Sequence, residues 1–143
     1  MVSFIISVDT AFPMASNFFD LFLKEKIVKE SEVIVVVDGC SNIHVHTFLK
    51  QLSTQNPNLK VFFKDKMGYG IANNFGVKMS TGDYLFFINS DVFTSSACYE
   101  KMLSVLQKKE AECVQPLLLY PQTNTVQCAG TFFGMYFKDH LFD

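Results

Sequence analysis

The chain has 143 residues, 49% of them hydrophobic and 18% charged, with a net charge of -2. That length accommodates one domain with a real core but hardly two, and the composition is that of a globular protein. So small a charge supplies no basic field, so no nucleic-acid partner is expected.

Cys40, Cys98, Cys113 and Cys128 are scattered without a C-x-x-C pair, which argues against a zinc site and against a secreted disulfide framework. Buried thiols in a reducing compartment are the simpler expectation. The N-terminal "MVSFIISVDTAFP" lacks a basic leader and is too short an apolar run to cross a bilayer. A soluble, cytoplasmic protein is expected.

In chain order, "SFIISV" (3–8) predicts a buried strand, and "SNFFDLFLKEKIVKE" (16–30) predicts a helix capped at Ser16. Phe18, Phe19, Phe22 and Leu23 make this helix more apolar than a surface helix needs. That stripe suits core packing, with contact at the inner face of a membrane as the alternative. "VIVVV" (33–37) is a β-branched run without polar alternation, as in a strand covered on both faces. The turn cluster "DGCSN" follows, then "IHVHTFLKQLSTQ", a second helix broken by "NPN" (56–58).

"LKVFF" (59–63) predicts a third strand, and "GYGIANNFGVKMS" (68–80) a helix opened by a glycine-rich turn. "TGD" leads into the strand "YLFFI" (84–88), and "SSACYEKMLSVLQKK" (95–109) is an amphipathic helix. After "CVQPLLLY", the stretch "PQTNTVQCAGTFFG" reads as a hairpin. Strands alternating with helices, the strands continuously apolar, predict an α/β domain with a mixed, mainly parallel sheet and helices on both faces. The last thirty or so residues read as antiparallel additions.

Ligands of open parallel sheets bind beyond the carboxyl ends of the strands. Those ends carry Ser7-Val8-Asp9, Asp38-Gly39-Cys40-Ser41-Asn42 and Asn89-Ser90-Asp91. If the strands are neighbours, Asp9, Asp38 and Asp91 share one rim. A solvated strand end would explain each alone; together they favour a site. The Gly68-Tyr69-Gly70 turn is not a dinucleotide fingerprint, because Asn73 stands at the third glycine position and the turn follows the third strand. His44 and His46, two apart, point in different directions on a helix and make a poor metal pair.

"VIVVVDGCSN", followed by "KMGYGIANNFGVKMSTGDYLFFINSDV", resembles the glycosyltransferases of family 2, an inverting group with the GT-A fold. Those proteins show V-D-[DN]-G-S at a strand end, then N-x-G-[FY]-x-x-A-x-N-x-G, then G-[DE]-Y-[ILV]-x-[FL]-[LI]-N-x-D. "VQPLLLYPQTNTVQCAGTFFG" is similar to a later V-Q-x-x-G segment.

The resemblance implies transfer of a sugar from a UDP- or dTDP-sugar to a glycan or lipid-linked acceptor in polysaccharide biosynthesis. Asn89-Ser90-Asp91 would be the D-x-D-type motif, with Asp91 holding a divalent metal, Mg²⁺ or Mn²⁺, against the donor's phosphates. Ser7 and Asp9 would enclose the nucleoside, and Asp38 would accept from the imide N–H of its base. Gly68 and Asn74 match N-x-G-[FY]-x-x-A-x-N-x-G, Asn74 as a partner for nucleotide sugar or phosphate. Gly39 and Cys40 depart from the family's [DN]-G. The family's catalytic base belongs to a later acidic motif that no residue here matches, Asp139, His140 and Asp143 included.

The expectation is thus a single GT-A-like nucleotide-sugar-binding domain over 1–143, without the acceptor-binding part. The apolar stretch 132–137 is the candidate surface for homo-oligomer formation. A non-catalytic nucleotide-sugar-binding module and a truncated interaction domain stay open as alternatives.

Overall fold

A computed structural model of the chain describes residues 1–9, 12–120, 122–133 and 138–140, the stretch after 130 by its backbone alone. The described chain forms two compact units, Met1–Ser96 and Ala97–Asp143.

The first unit runs β1 (Val2–Val8), α1 (Phe12–Phe22), α2 (Lys26–Lys29), β2 (Glu32–Asp38), α3 (Ile43–Gln55), β3 (Leu59–Lys64), α4 (Tyr69–Met79) and β4 (Tyr84–Asn89). The strands make one sheet in the order β3-β2-β1-β4, every pair parallel. This is the expected α/β architecture. Alternate residues of β1 show how both faces are covered. The Phe4 ring meets Phe22 of α1 at 5.3 Å and stacks on Phe86 of β4 at 5.2 Å. Ile5, on the opposite face, lies under Gly76 of α4, where an added Cβ would come within 2.5 Å of its Cγ2. Ile34, Val36 and Ala72 form a buried cluster on that face, with Phe62, Met67 and Phe75 packed around it. On the other face Phe48 of α3 joins the rings of Phe12 and Phe19.

The helix expected at 16–30 divides in two and starts earlier. α1 opens at Phe12 with Pro13 in its first turn, where a missing N–H is harmless and a fixed φ helps. Ser16 is therefore not a cap; its hydroxyl donates to the Pro13 carbonyl at 3.2 Å. Between the two helices Glu25 is extended, at φ -64° and ψ 134°. Its carboxylate there accepts from both the amide (2.5 Å) and the hydroxyl (2.6 Å) of Ser96. Those two donors hold it below the usual glutamate range. Phe18, Phe19 and Phe22 are buried in the core, so they present no membrane-facing stripe. Among the described residues no helix is long and apolar enough to cross a membrane.

The second unit contains most of α5 (Ser96–Gln107) and the short strands β5 (Leu118–Leu119), β6 (Val126–Cys128), β7 (Thr131–Phe133) and β8 (Lys138–His140). β5 pairs with β6 and β7 with β8, both antiparallel, as separate two-stranded sheets. The expected additions at the end of the chain are thus antiparallel, and they are two-stranded sheets of their own rather than strands of a mixed sheet. The side chains of 132–137, the candidate pairing surface, lie outside the described residues.

Candidate functional site

The strand order decides where a ligand can bind. From β1 the chain moves outward to β2 and β3, with α1 and α3 on one face. It then returns through α4 on the other face to place β4 on the far side of β1. A right-handed crossover in each direction requires this change of face. The direction of winding reverses between β1 and β4, and a cleft beyond the strand ends at such a point is the usual ligand site of open α/β sheets.

A cleft of about 200 Å³ lies there. Ser7 and Asp9 line it from the end of β1, Asp38 from β2, Asn89, Ser90 and Asp91 from β4, and Tyr69 from the start of α4. Ser7 and Asn89 are direct neighbours in the β1–β4 register. The three rim aspartates read from the sequence therefore open onto one space. Gly68 and Asn74 are not among its lining residues; Asn74 is exposed on α4. Tyr69, 56% exposed, is a further lining residue; it is not among the expected site residues, although it stands at the [FY] position of N-x-G-[FY]-x-x-A-x-N-x-G.

The aspartates differ in their surroundings. After β4 the Val92 amide donates to the Asn89 carbonyl at 3.2 Å, closing a turn with Ser90 and Asp91 at its centre. Ser90 is buried, whereas Asp91 is exposed and its carboxylate makes no hydrogen bond or ion pair among the described residues. The amide at the start of α5 is already satisfied by Glu25, so a capping duty for Asp91 is not needed.

Asp38, 2% exposed, is fully engaged. Its Oδ1 accepts from the Met67 amide at 2.6 Å, and its Oδ2 accepts from the Gly68 amide at 3.1 Å and pairs with Lys66 at 3.3 Å. Burial pushes this carboxyl up, but the two amides and the Lys66 ammonium outweigh it and hold the group below the usual aspartate range. Lys66 also donates to Asp9 at 2.8 Å. Its bonds to Asp9 and Asp38 raise it above the usual lysine value. This lysine, 59% exposed, ties together the ends of β1, β2 and β3.

Gly39 explains the departure from the family's [DN]-G. Its φ of +72° is left-handed, and a Cβ there would lie 2.6 Å from the Lys66 Cβ. Only glycine lets the two loops approach so closely. His46 directs its Nε2 at the Cys40 carbonyl and lies against Phe63, which is a structural role.

Among the described residues no three His, Cys, Asp or Glu side chains gather as a metal cage. The open carboxylate of Asp91 beside the Asn89 amide is nonetheless a hard-oxygen donor set. It suits Mg²⁺ or Mn²⁺, since Mg²⁺ is commonly held by one or two carboxylates with substrate phosphates completing the shell.

A parallel β3-β2-β1-β4 sheet with helices on both faces and an acidic rim at its switch point is the architecture of GT-A glycosyltransferases. Residues 23–140 match the model of glycosyl transferase family 2, and the chain belongs to that family. It is 29% identical over 126 residues to the O-antigen biosynthesis protein RfbC of Myxococcus xanthus, covering 86% of this chain and 10% of RfbC. It is 22% identical to the uncharacterized glycosyltransferase EpsJ of Bacillus subtilis, covering 80% of this chain and 33% of that protein. The chain thus spans a third or less of these relatives. Its fold is similar to the mannosyltransferase PcManGT of Pyrobaculum calidifontis, solved with GDP-Man and Mn²⁺, at a TM-score of 0.63 and 16% identity. That match covers 85% of this chain and 36% of PcManGT. TarS 1-349 of S. aureus, solved with UDP-GlcNAc, aligns at a TM-score of 0.63 and 20% identity over 76% of this chain and 32% of its own.

Proposed function

We propose that this domain binds the nucleoside diphosphate of a UDP- or dTDP-sugar in the rim cleft and serves inverting, hexosyl-type transfer to a glycan or lipid-linked acceptor. The observation that carries the proposal is the exposed carboxylate of Asp91, without a partner among the described residues and presented by a turn at the switch point of the sheet. Asp91 would hold Mg²⁺ or Mn²⁺, with Asn89 and Ser90 shaping the wall beside it. When bound, that ion offsets the negative charge of the departing nucleoside diphosphate.

Ser7 and Asp9 form the opposite wall, and the exposed ring of Tyr69 offers a flat face to a base or sugar. Gly68 gives its amide to Asp38 and turns the chain into α4, while Asn74 lies further along that helix. The names of RfbC and EpsJ support surface polysaccharide assembly as the setting. The scattered cysteines support a reducing, cytoplasmic location.

A thermal-shift screen of UDP-, dTDP- and GDP-sugars, with and without Mn²⁺, tests the proposal, because a ligand of the native state raises the melting temperature. Stabilisation that needs both nucleotide and metal is the expected result. No shift with any sugar nucleotide would overturn it. Binding without release or transfer of sugar would make the domain a module that holds the donor without turnover.

A further inference from the structure

α1 and α2 are separated over residues 23–25, although the stretch "FLKEKIVK" contains no glycine or proline. Leu, Lys and Glu favour continuing a helix, so the break needs another cause. It leaves Glu25 extended and turns its side chain to Ser96, 71 residues away, whose amide and hydroxyl both donate to the same carboxylate oxygen. The Ser96 hydroxyl also accepts from the amide of Ile27, in α2, at 3.5 Å. Two charge-assisted bonds offset the helical turn given up between α1 and α2. Ser96 closes the first unit, so all these contacts lie within it.

Ser96 is also where the loop that carries Asp91 ends. That loop leaves β4 at Asn89, turns through Ser90 and Asp91, and runs without regular structure over 92–95 into α5. Its near end is held by the Val92 amide on the Asn89 carbonyl. Its middle rests on the Phe93 ring, 6.2 Å from that of Phe18 but 55% exposed. Its far end is held by Glu25, which stands between the buried Phe22 and Ile27. A local cap from Thr94 or Ser95 would stabilise α5 alone. A carboxylate from the α1–α2 junction also ties the loop to the core. Asp91 has no partner of its own among the described residues, so the ends of its loop set where its carboxylate points.

We infer that Glu25 is a positioning residue for the metal site: by clamping Ser96 it holds the loop that presents Asp91. It thereby sets the metal-dependent part of nucleoside diphosphate binding without touching metal or nucleotide. This rests on the metal-holding role proposed for Asp91. Glu25 itself does not line the cleft.

The experiment is calorimetric titration of UDP and dTDP, each with and without Mn²⁺, into the wild-type chain and into Glu25→Ala, Glu25→Gln and Ser96→Ala. Melting temperatures of each protein accompany it. Mn²⁺ should tighten nucleotide binding to the wild type. In Glu25→Ala that gain should shrink roughly tenfold, the scale on which a residue supporting a metal ligand acts, while metal-free affinity stays unchanged. Glu25→Gln, whose amide oxygen still accepts both Ser96 protons, should keep the gain. Ser96→Ala removes only the hydroxyl and should lose a fraction of the gain; it carries the test if Glu25→Ala does not fold. A brace for stability alone would lower the melting temperature of Glu25→Ala and leave the gain from Mn²⁺ intact, and that result overturns the inference. So does an equal loss with and without Mn²⁺, which would mean that the whole cleft has changed. If Mn²⁺ adds nothing to the wild type, the metal role of Asp91 fails, and the positioning role of Glu25 with it. That failure shows in the wild type, whereas a failure of Glu25 alone shows only in the variants.

Discussion

The two ends of the parallel sheet both carry acidic side chains, and they use them in opposite ways. At the amino ends of the strands, Glu32 is 9% exposed and its oxygens accept from Ser3 (2.6 Å), the Thr81 amide (2.8 Å) and Lys60 (2.8 Å). The Ser3 hydroxyl in turn accepts from the Gly82 amide at 2.9 Å. This closed network fastens the "TGD" turn before β4 to β1 and β2. At the carboxyl ends, Asp91 has no partner among the described residues, and Asp9 keeps one oxygen open. A buried charge must be fully paired or it destabilises the fold; a binding site must keep some groups unsatisfied until the ligand arrives. One end is closed by its own partners, and the other keeps carboxylate oxygens open among the described residues.

The largest expected effect is at the closed end. Glu32→Ala should cost about 3 kcal/mol in a denaturant titration, since it leaves the buried Ser3 hydroxyl and the part-buried Thr81 amide without their acceptor. Burial pushes the Glu32 carboxyl up, but hydrogen bonds from Lys60, Ser3 and Thr81 hold it at about 2, against an ordinary 4.5. Its folded value is depressed, so its contribution is complete above pH 4.5 and fades as the pH falls toward 2. Melting curves across that window should show a loss of stability that Glu32→Gln flattens. An unaltered profile in the variant would mean the network does not hold the sheet.

Gly39→Ala comes next and asks whether the open end is also rigid. A left-handed backbone and a Cβ 2.6 Å from that of Lys66 together predict a loss of about 2 kcal/mol. Nucleotide affinity should fall too, because the Lys66 loop must shift. A variant with wild-type melting and binding would show that the loops separate freely.

Asp91→Asn sharpens the contrast most directly. Stability should change by about 0.5 kcal/mol or less, as expected for an exposed group without partners. Affinity for UDP with Mn²⁺ should drop about tenfold, or about 1.4 kcal/mol, in calorimetric titration. Equal affinities with the metal still required would remove Asp91 as the ligand.

The smallest effect is expected for Lys60→Met. Lys60 is half-exposed and its pair with Glu32 is screened by solvent, so the cost at neutral pH should be about 0.5 kcal/mol. The acid limb of the stability curve should nonetheless move to higher pH, because a principal group holding Glu32 down is gone. A curve that overlays the wild type would assign that work to Ser3 and Thr81 alone.

Much of the fold is legible in the sequence because the information is local. Continuous apolar runs such as Val33–Val37 can be covered only by helices on both faces, and polar residues that interrupt such runs mark the strand ends. The rim acids Asp9, Asp38 and Asp91 are legible for that reason, each at the end of an apolar run. The start of α1 is not, because the cap signal at Ser16 competes with Pro13, whose place in a first turn is the better clue. Tyr69 is marked only as the [FY] of the family motif, and Lys66 stands where that motif has Asn, with no mark of its own. Nothing local distinguishes a lysine that reaches a carboxylate 57 residues away from one in solvent.

By itself, then, the sequence determined which segments are strands, which are helices and which strand ends are polar, because periodicity and composition act over a few residues. Only the tertiary structure decided which acids are consumed and which are left open. Glu32 finds partners at positions 3, 60 and 81, and Asp38 finds them at 66, 67 and 68. Asp91 finds none among the described residues because its turn points it into the cleft where the winding reverses. Whether a carboxylate is a brace or a ligand depends on the donors within about 3 Å of it, and those come from segments that only folding brings together.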